Sequence, residues 1–273
     1  MDRINNFDSK FEMYNHLHDG DCIPTGEKPI LADISQYEVL FKSCEAIANL
    51  QKKSPHFSFG MTYRMCEAEA ADLEMSPSTY SHIQIINTKL AALNNIPSAR
   101  GKDKSLERQI VLTKTMSENL GKEPVQPVKL STLVNSGLAL CSEYSILAQA
   151  YLEKQGIDSY ICSGGLLQAT EKGIISEKHH FLAINDNGKM YIYDPLNKKS
   201  TGIPRVVNTH LDKDTFLNMA NNKDGFILDV HPDLEEKKSV FDIGDTHHLG
   251  YAHGKSFGKN KIIQEIKNNM INR

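Results

Sequence analysis

The hydrophobic pattern of this chain changes period, and the best internal boundary is marked by Pro124 and Pro127. Before the prolines, apolar residues recur every three or four positions. Beyond them, one more helical stretch gives way to short apolar runs separated by turn formers. Proline removes a backbone donor and restricts the residue before it, so a helix does not run through this point. The pattern predicts an α+β fold: a mainly helical region over 1–125, then a helix packed on an antiparallel sheet over 126–273.

The first thirty residues carry Asp19-Gly20-Asp21 and Pro24-Thr25-Gly26 and read as an irregular lead-in. Helices are expected over about 35–53, 61–73, 76–93 and 104–120. In the first, Ser35 and Glu38 form a capping box, and Tyr37, Leu40, Phe41, Cys44, Ile47 and Leu50 share a stripe. The third starts with Ser76 as N-cap and Pro77 at the first helical position. The fourth carries Leu106, Ile110, Met116 and Leu120 together and ends at Gly121. Residues 141–154 form an amphipathic helix closed by Gly156, with Tyr144, Leu147, Ala148, Tyr151 and Leu152 inward. Strands follow over 159–162, 179–185 and 189–194, the last two joined by the hairpin signal Asp186-Asn187-Gly188. Residues 226–230 read as a further strand and 260–271 as a polar helix.

Composition narrows the function. A length of 273 residues, 40% hydrophobic and 24% charged, suits a globular protein with a substantial core. A net charge of -3 gives no electrostatic reason to expect nucleic acid or an anionic membrane as partner. The N-terminus lacks the apolar core of a signal peptide, and no apolar run reaches transmembrane length. Five cysteines without a CxxC pair argue for free thiols in a reducing compartment. The expected location is therefore cytoplasmic.

Cys141 stands apart from the other four. Only a thiolate is a competent nucleophile, and the dipole and N–H groups of a helix N-terminus favour one. Cys141 opens the 141–154 helix, and Gly137 lets the backbone turn into it. A nearby imidazole can hold the thiolate as an ion pair and later protonate the leaving group, and an Asp behind it fixes the tautomer. His179-His180 opens one strand and Asp194 closes the next. A two-residue Asn187-Gly188 turn gives His179 the face of Asp194, as does a four-residue loop; a three-residue loop with a bulge favours His180 instead. Glu143 reads as an acidic first-turn residue favoured by the dipole rather than as a catalytic acid. The other cysteines, at 22, 44, 66 and 162, have no partner motif, and Cys162 reads as core.

The stretch 135–195 resembles the transglutaminase-like branch of the papain-type cysteine enzymes. The resemblance rests on Leu140-Cys141-Ser142-Glu143, Gly164, His179-His180-Phe181 and Tyr191-Ile192-Tyr193-Asp194-Pro195. The spacing is also similar to that of arylamine N-acetyltransferases, but their Arg-Gly-Gly before the Cys is absent. The resemblance implies a nucleophile helix packed on an antiparallel sheet and a catalytic set of Cys141, His179 and Asp194, with His180 as the alternative base. It implies an oxyanion hole from the Cys141 N–H and a side-chain amide upstream; Asn135 is the candidate, its plain alternative being a loop or cap residue. The implied chemistry is acyl transfer on protein amides, by glutamine deamidation or transglutamination, with no cofactor. By analogy the substrate would be a protein, and a bacterial effector secreted without a classical signal peptide into a host cytosol, acting on a host protein, would fit the family. The alternatives are a cysteine peptidase and a non-catalytic interaction module that keeps the fold.

Other chemistries lack their motifs. His247, His248 and His253 cluster without HExxH, so a solvated loop is expected there rather than a metal site. The 250–256 run mimics a phosphate loop but is one residue short between its glycines, and neither a serine-hydrolase elbow nor GxGxxG occurs.

Overall fold

A computed structural model of the chain describes residues 12–14, 18–23, 29–94, 104–118, 127–170, 173–198, 203–221, 227–228 and 247–252. These residues form a mixed α+β structure in two compact units. One is mainly helical and comprises the described residues of 16–158 and 194–204; the other is built on a sheet and comprises those of 1–15, 159–193 and 205–273. The boundary expected at 125/126 lies outside the described residues.

The helical unit is organised by α3 (Pro77–Asn94), which packs against α1 (Glu38–Lys53), α2 (Tyr63–Leu73) and α6 (Cys141–Lys154). Ser76 caps α3 as its sequence predicts: its Oγ accepts the Thr79 N–H at 3.3 Å, ahead of Pro77. Residues 80–87 of α3 are all buried, polar ones included, so their side chains bond to neighbours. Ser81 donates to Gln51 of α1 at 3.1 Å, Gln84 to the Phe59 carbonyl at 2.6 Å, and the His82 Nδ1 lies 2.8 Å from the Tyr151 hydroxyl of α6.

Two expectations for α1 are corrected. Ser35 lies in a 3-10 turn over Ile34–Tyr37 and bonds to Asp19 through its N–H and hydroxyl, so no capping box forms with Glu38. The buried stripe is Phe41, Cys44, Ala48 and Gln51, whereas Leu50 is 49% exposed. Gln51 reaches the interior because the Met61 carbonyl and Ser81 satisfy its amide. Likewise α6 is buried on every side from Ser142 to Leu152 rather than being amphipathic.

The lead-in holds short strands where irregular chain was expected. Here β2 (Cys22–Ile23) pairs antiparallel with β3 (Ile30–Leu31), which runs parallel to β4 (Val128–Lys129). From β4 the chain enters α5 (Leu130–Asn135).

In the sheet unit, β5 (Ser159–Thr170) pairs with β6 (Gly173–Asp186), and β6 with β7 (Lys189–Lys198). The strand order continues from β7 to β8 (Pro204–Asp212). On its other edge β5 takes β1 (Glu12–Tyr14) and then β10 (His247–Ala252), which pairs with β9 (Ile227–Leu228). The strand at His247 and His248 replaces the solvated loop expected there. Its partner lies some eighty residues earlier in the chain, and local composition does not announce such pairing. The tail helix expected over 260–271, and His253, lie outside the described residues.

The hairpin between β6 and β7 has a two-residue turn, with Asp186 opposite Lys189 and positive φ at Asn187 (53°) and Gly188 (85°). One face carries Phe181, Ala183, Met190 and Ile192, which join Tyr160, Cys162, Val207 and the α7 residue Phe216 (α7, Lys213–Asn221) in a buried cluster. The other face, with Ile161, Leu182, Ile184, Tyr191 and Tyr193, is fully buried too.

Glu74 ends α2 in the left-handed region (φ 57°), where Met75 N–H bonds back to the Ala70 carbonyl at 2.8 Å. Glu74→Gly relieves the Cβ conflict and is expected to stabilise the protein by roughly 0.5–1 kcal/mol in urea denaturation. His82 is held down to about 4 by burial and then by the Lys52 charge. The unfolded chain therefore takes up this proton first, and stability from His82 is lost as pH falls from 6.5 towards 4. The loss reaches at most about 3 kcal/mol. His82→Gln should flatten that part of the stability profile measured between pH 7 and pH 4.

Candidate functional site

The segment leading to Cys141 is held at successive points. Asp33 Oδ1 accepts the Ser131 N–H in the first turn of α5 at 2.9 Å, and Asp33 Oδ2 accepts the Ser131 hydroxyl. The helix then stops at Gly137, whose φ of 68° allows Gly137 N–H to reach the Val134 carbonyl and Leu138 N–H the Leu133 carbonyl. After Leu138 and Ala139, α6 begins with Cys141 at its first position and Leu140, in extended conformation, as N-cap.

Leu140 has no side-chain acceptor, so the start of α6 is capped from the other direction. Glu143 Oε2 accepts the Leu140 N–H at 2.7 Å. Its other oxygen accepts from Arg108 Nη2 at 2.8 Å, and Arg108 Nη1 donates to the Leu138 carbonyl at 2.8 Å. Arg108 lies on α4 (Lys104–Glu118), and both partners are buried. A buried carboxylate two residues from a thiol would oppose its ionisation; the guanidinium against it offsets that charge.

Arg108 was not among the residues picked out from the sequence. The expected α4 stripe included Ile110, which is 57% exposed, whereas Arg108 and Leu112, one turn apart, are buried. A charged residue in register with Leu112 is the only signal, and its meaning depends on Glu143, 35 residues away.

Cys141 is part-exposed, while Cys44, Cys66 and Cys162 are buried. Burial pushes the Cys44 and Cys66 thiols up to about 12 each and raises that of Cys162 further, which suits packing and not nucleophilic chemistry. Cys22 is exposed, on a two-residue strand. Asn135 is exposed at the last position of α5.

Cys141, Asn135 and Asp194 group with the helical unit, His179 and His180 with the sheet unit. Asp194 is wholly buried on β7, and its Oδ1 accepts the Leu196 N–H at 3.0 Å across Pro195. Both histidines are buried and point to opposite faces of β6. His179 shares the face of Phe181, on whose ring it stacks at 6.3 Å between centroids; His180 shares that of Leu182. The two-residue turn is the one expected to put His179 on the face of Asp194. Among the described residues no group of three or more His, Cys, Asp or Glu could hold a metal ion, and no helix is long and apolar enough to cross a membrane.

Comparison of the chain with protein-family models, with curated proteins and with solved structures finds no match in any of the three.

Removing one member of the Arg108–Glu143 pair leaves the other charge buried alone. Arg108→Met is expected to cost about 3–5 kcal/mol in chemical denaturation, and Arg108→Met combined with Glu143→Gln to recover much of it.

Proposed function

We propose that the protein is a cysteine-dependent acyl-transfer enzyme acting on protein amides, by glutamine deamidation or transglutamination. The observation that carries this reading is Cys141 at the first position of α6, part-exposed, while three other cysteines are buried and hard to ionise. The lead-in to Cys141 is pinned through Leu138 and Leu140, and such restraint of a reacting atom favours catalysis.

In the proposed reaction the Cys141 thiolate attacks the amide carbonyl, with His179 as its proton partner and Asp194 orienting His179. The backbone N–H of Cys141 and the Asn135 amide are the proposed oxyanion donors. The thioester forms as ammonia leaves with a proton from the imidazolium. Water then gives the acid and completes deamidation, or a second amine gives a cross-link. His180, on the opposite face of β6, is the alternative base.

Alkylation tests the reading, with Cys22 as an internal reference because it is exposed and opens no helix. At pH 7 Cys141 is expected to react with iodoacetamide about tenfold faster than Cys22, by peptide mass spectrometry. His179→Ala should remove the advantage. Equal rates at the two cysteines, unchanged by His179→Ala or His180→Ala, would sink the proposal. Mass spectrometry of candidate protein substrates then separates deamidation from amine addition and from backbone cleavage.

A further inference from the structure

A second feature of the helical unit lies at the ends of three helices. A cleft of about 460 Å³ opens between α1, the first turn of α3 and the C-terminal end of α6, lined by Glu45, Lys52, Ser78, His82, Lys154 and Gln155 among others. That volume falls in the range of small-molecule sites.

The charged groups divide into engaged and available ones. Lys154 Nζ is committed to Glu38 at 2.6 Å and lies over the Phe41 ring. Glu45 Oε1 accepts the Gln155 amide at 3.2 Å. By contrast, among the described residues no hydrogen bond or ion pair engages Lys52 Nζ, Ser78 Oγ or His82 Nε2. His82 is 7% exposed, so its ring is built into the wall of the cleft rather than laid over the surface. Its Nδ1 is engaged by the Tyr151 hydroxyl at 2.8 Å, which leaves Nε2 for a ligand; when that hydroxyl donates, the ring proton sits on Nε2. The available groups are an ammonium, a hydroxyl and an imidazole nitrogen, and all three can donate when His82 carries its proton on Nε2. They meet at the N-terminal turn of an 18-residue helix, where the backbone dipole also favours negative charge. Glu45 precedes Lys52 by seven residues on α1, roughly 10 Å along its axis, and places the one acidic lining group away from this cluster.

We propose that this cleft binds a small organic anion, its phosphate or carboxylate head held by Lys52, Ser78 and His82. The body of the ligand lies towards Glu45 and Gln155, where an amide and a carboxylate read hydrogen-bond donors and acceptors. Burial and Lys52 keep His82 neutral above about pH 5, so in its Nε2–H tautomer the ring donates to the head without adding a charge.

Calorimetry on the full chain, with sodium phosphate and sodium acetate as separate probes at ionic strength held constant with sodium chloride, provides the test. At least one probe should bind saturably at one site and move the His82 ring signals in NMR; which one does identifies the head group. Lys52→Gln and Ser78→Ala change exposed residues that fold without partners, and Lys52→Gln is expected to weaken binding about tenfold. Glu45→Gln should leave it unchanged or tighter. No saturable binding of either probe, or equal affinity in wild type and Lys52→Gln, would overturn the proposal.

Discussion

The start of α6 depends on one buried ion pair. Helix N-termini leave backbone donors unsatisfied, and the usual remedy is a polar N-cap side chain. Leu140 cannot supply one. Glu143 turns back to take the Leu140 N–H, which requires a carboxylate in the interior, and that in turn requires Arg108. The guanidinium also holds the Leu138 carbonyl, so a single side chain on α4 sets both the charge balance and the backbone path ahead of Cys141. A polar cap residue at 140 would take an N–H of the first turn of α6 instead; it would not tie the cysteine to a distant helix.

Local signals were readable wherever the deciding partner was close in sequence. Ser76-Pro77 starts α3, Asn187-Gly188 makes the two-residue turn, and Gly137 and Gly156 end their helices, because each depends on backbone geometry within a few residues. Faces were harder to assign. The α1 stripe rotates towards Gln51 and the α4 stripe towards Arg108, since interior partners satisfy groups that hydrophobicity alone places outside. The strand at His247 was hidden for a related reason: its hydrogen bonds come from β5, far back along the chain.

The same contrast runs through the candidate site. Cys141 at a helix start was legible, because the helical pattern begins there. The burial of the His179-His180 pair was not, since a histidine pair in sequence carries no record of what packs on either face of its strand. Two adjacent residues of one type thus occupy different surroundings, one against Phe181 and one beside Leu182, and are chemically distinct despite identical side chains.

The bond between Asp33 and Ser131 bears on how the chain acquires its structure. It joins residues 98 apart, and β3 and β4 pair alongside it. The first turn of α5 therefore meets its acceptor only when the polypeptide has been made past residue 131 and the intervening chain has closed. Closing a long loop costs entropy before its contacts repay it, and high contact order slows folding. The fixed approach to the thiol thus depends on a closure across 98 residues that no piece of the chain ending before Ser131 can make.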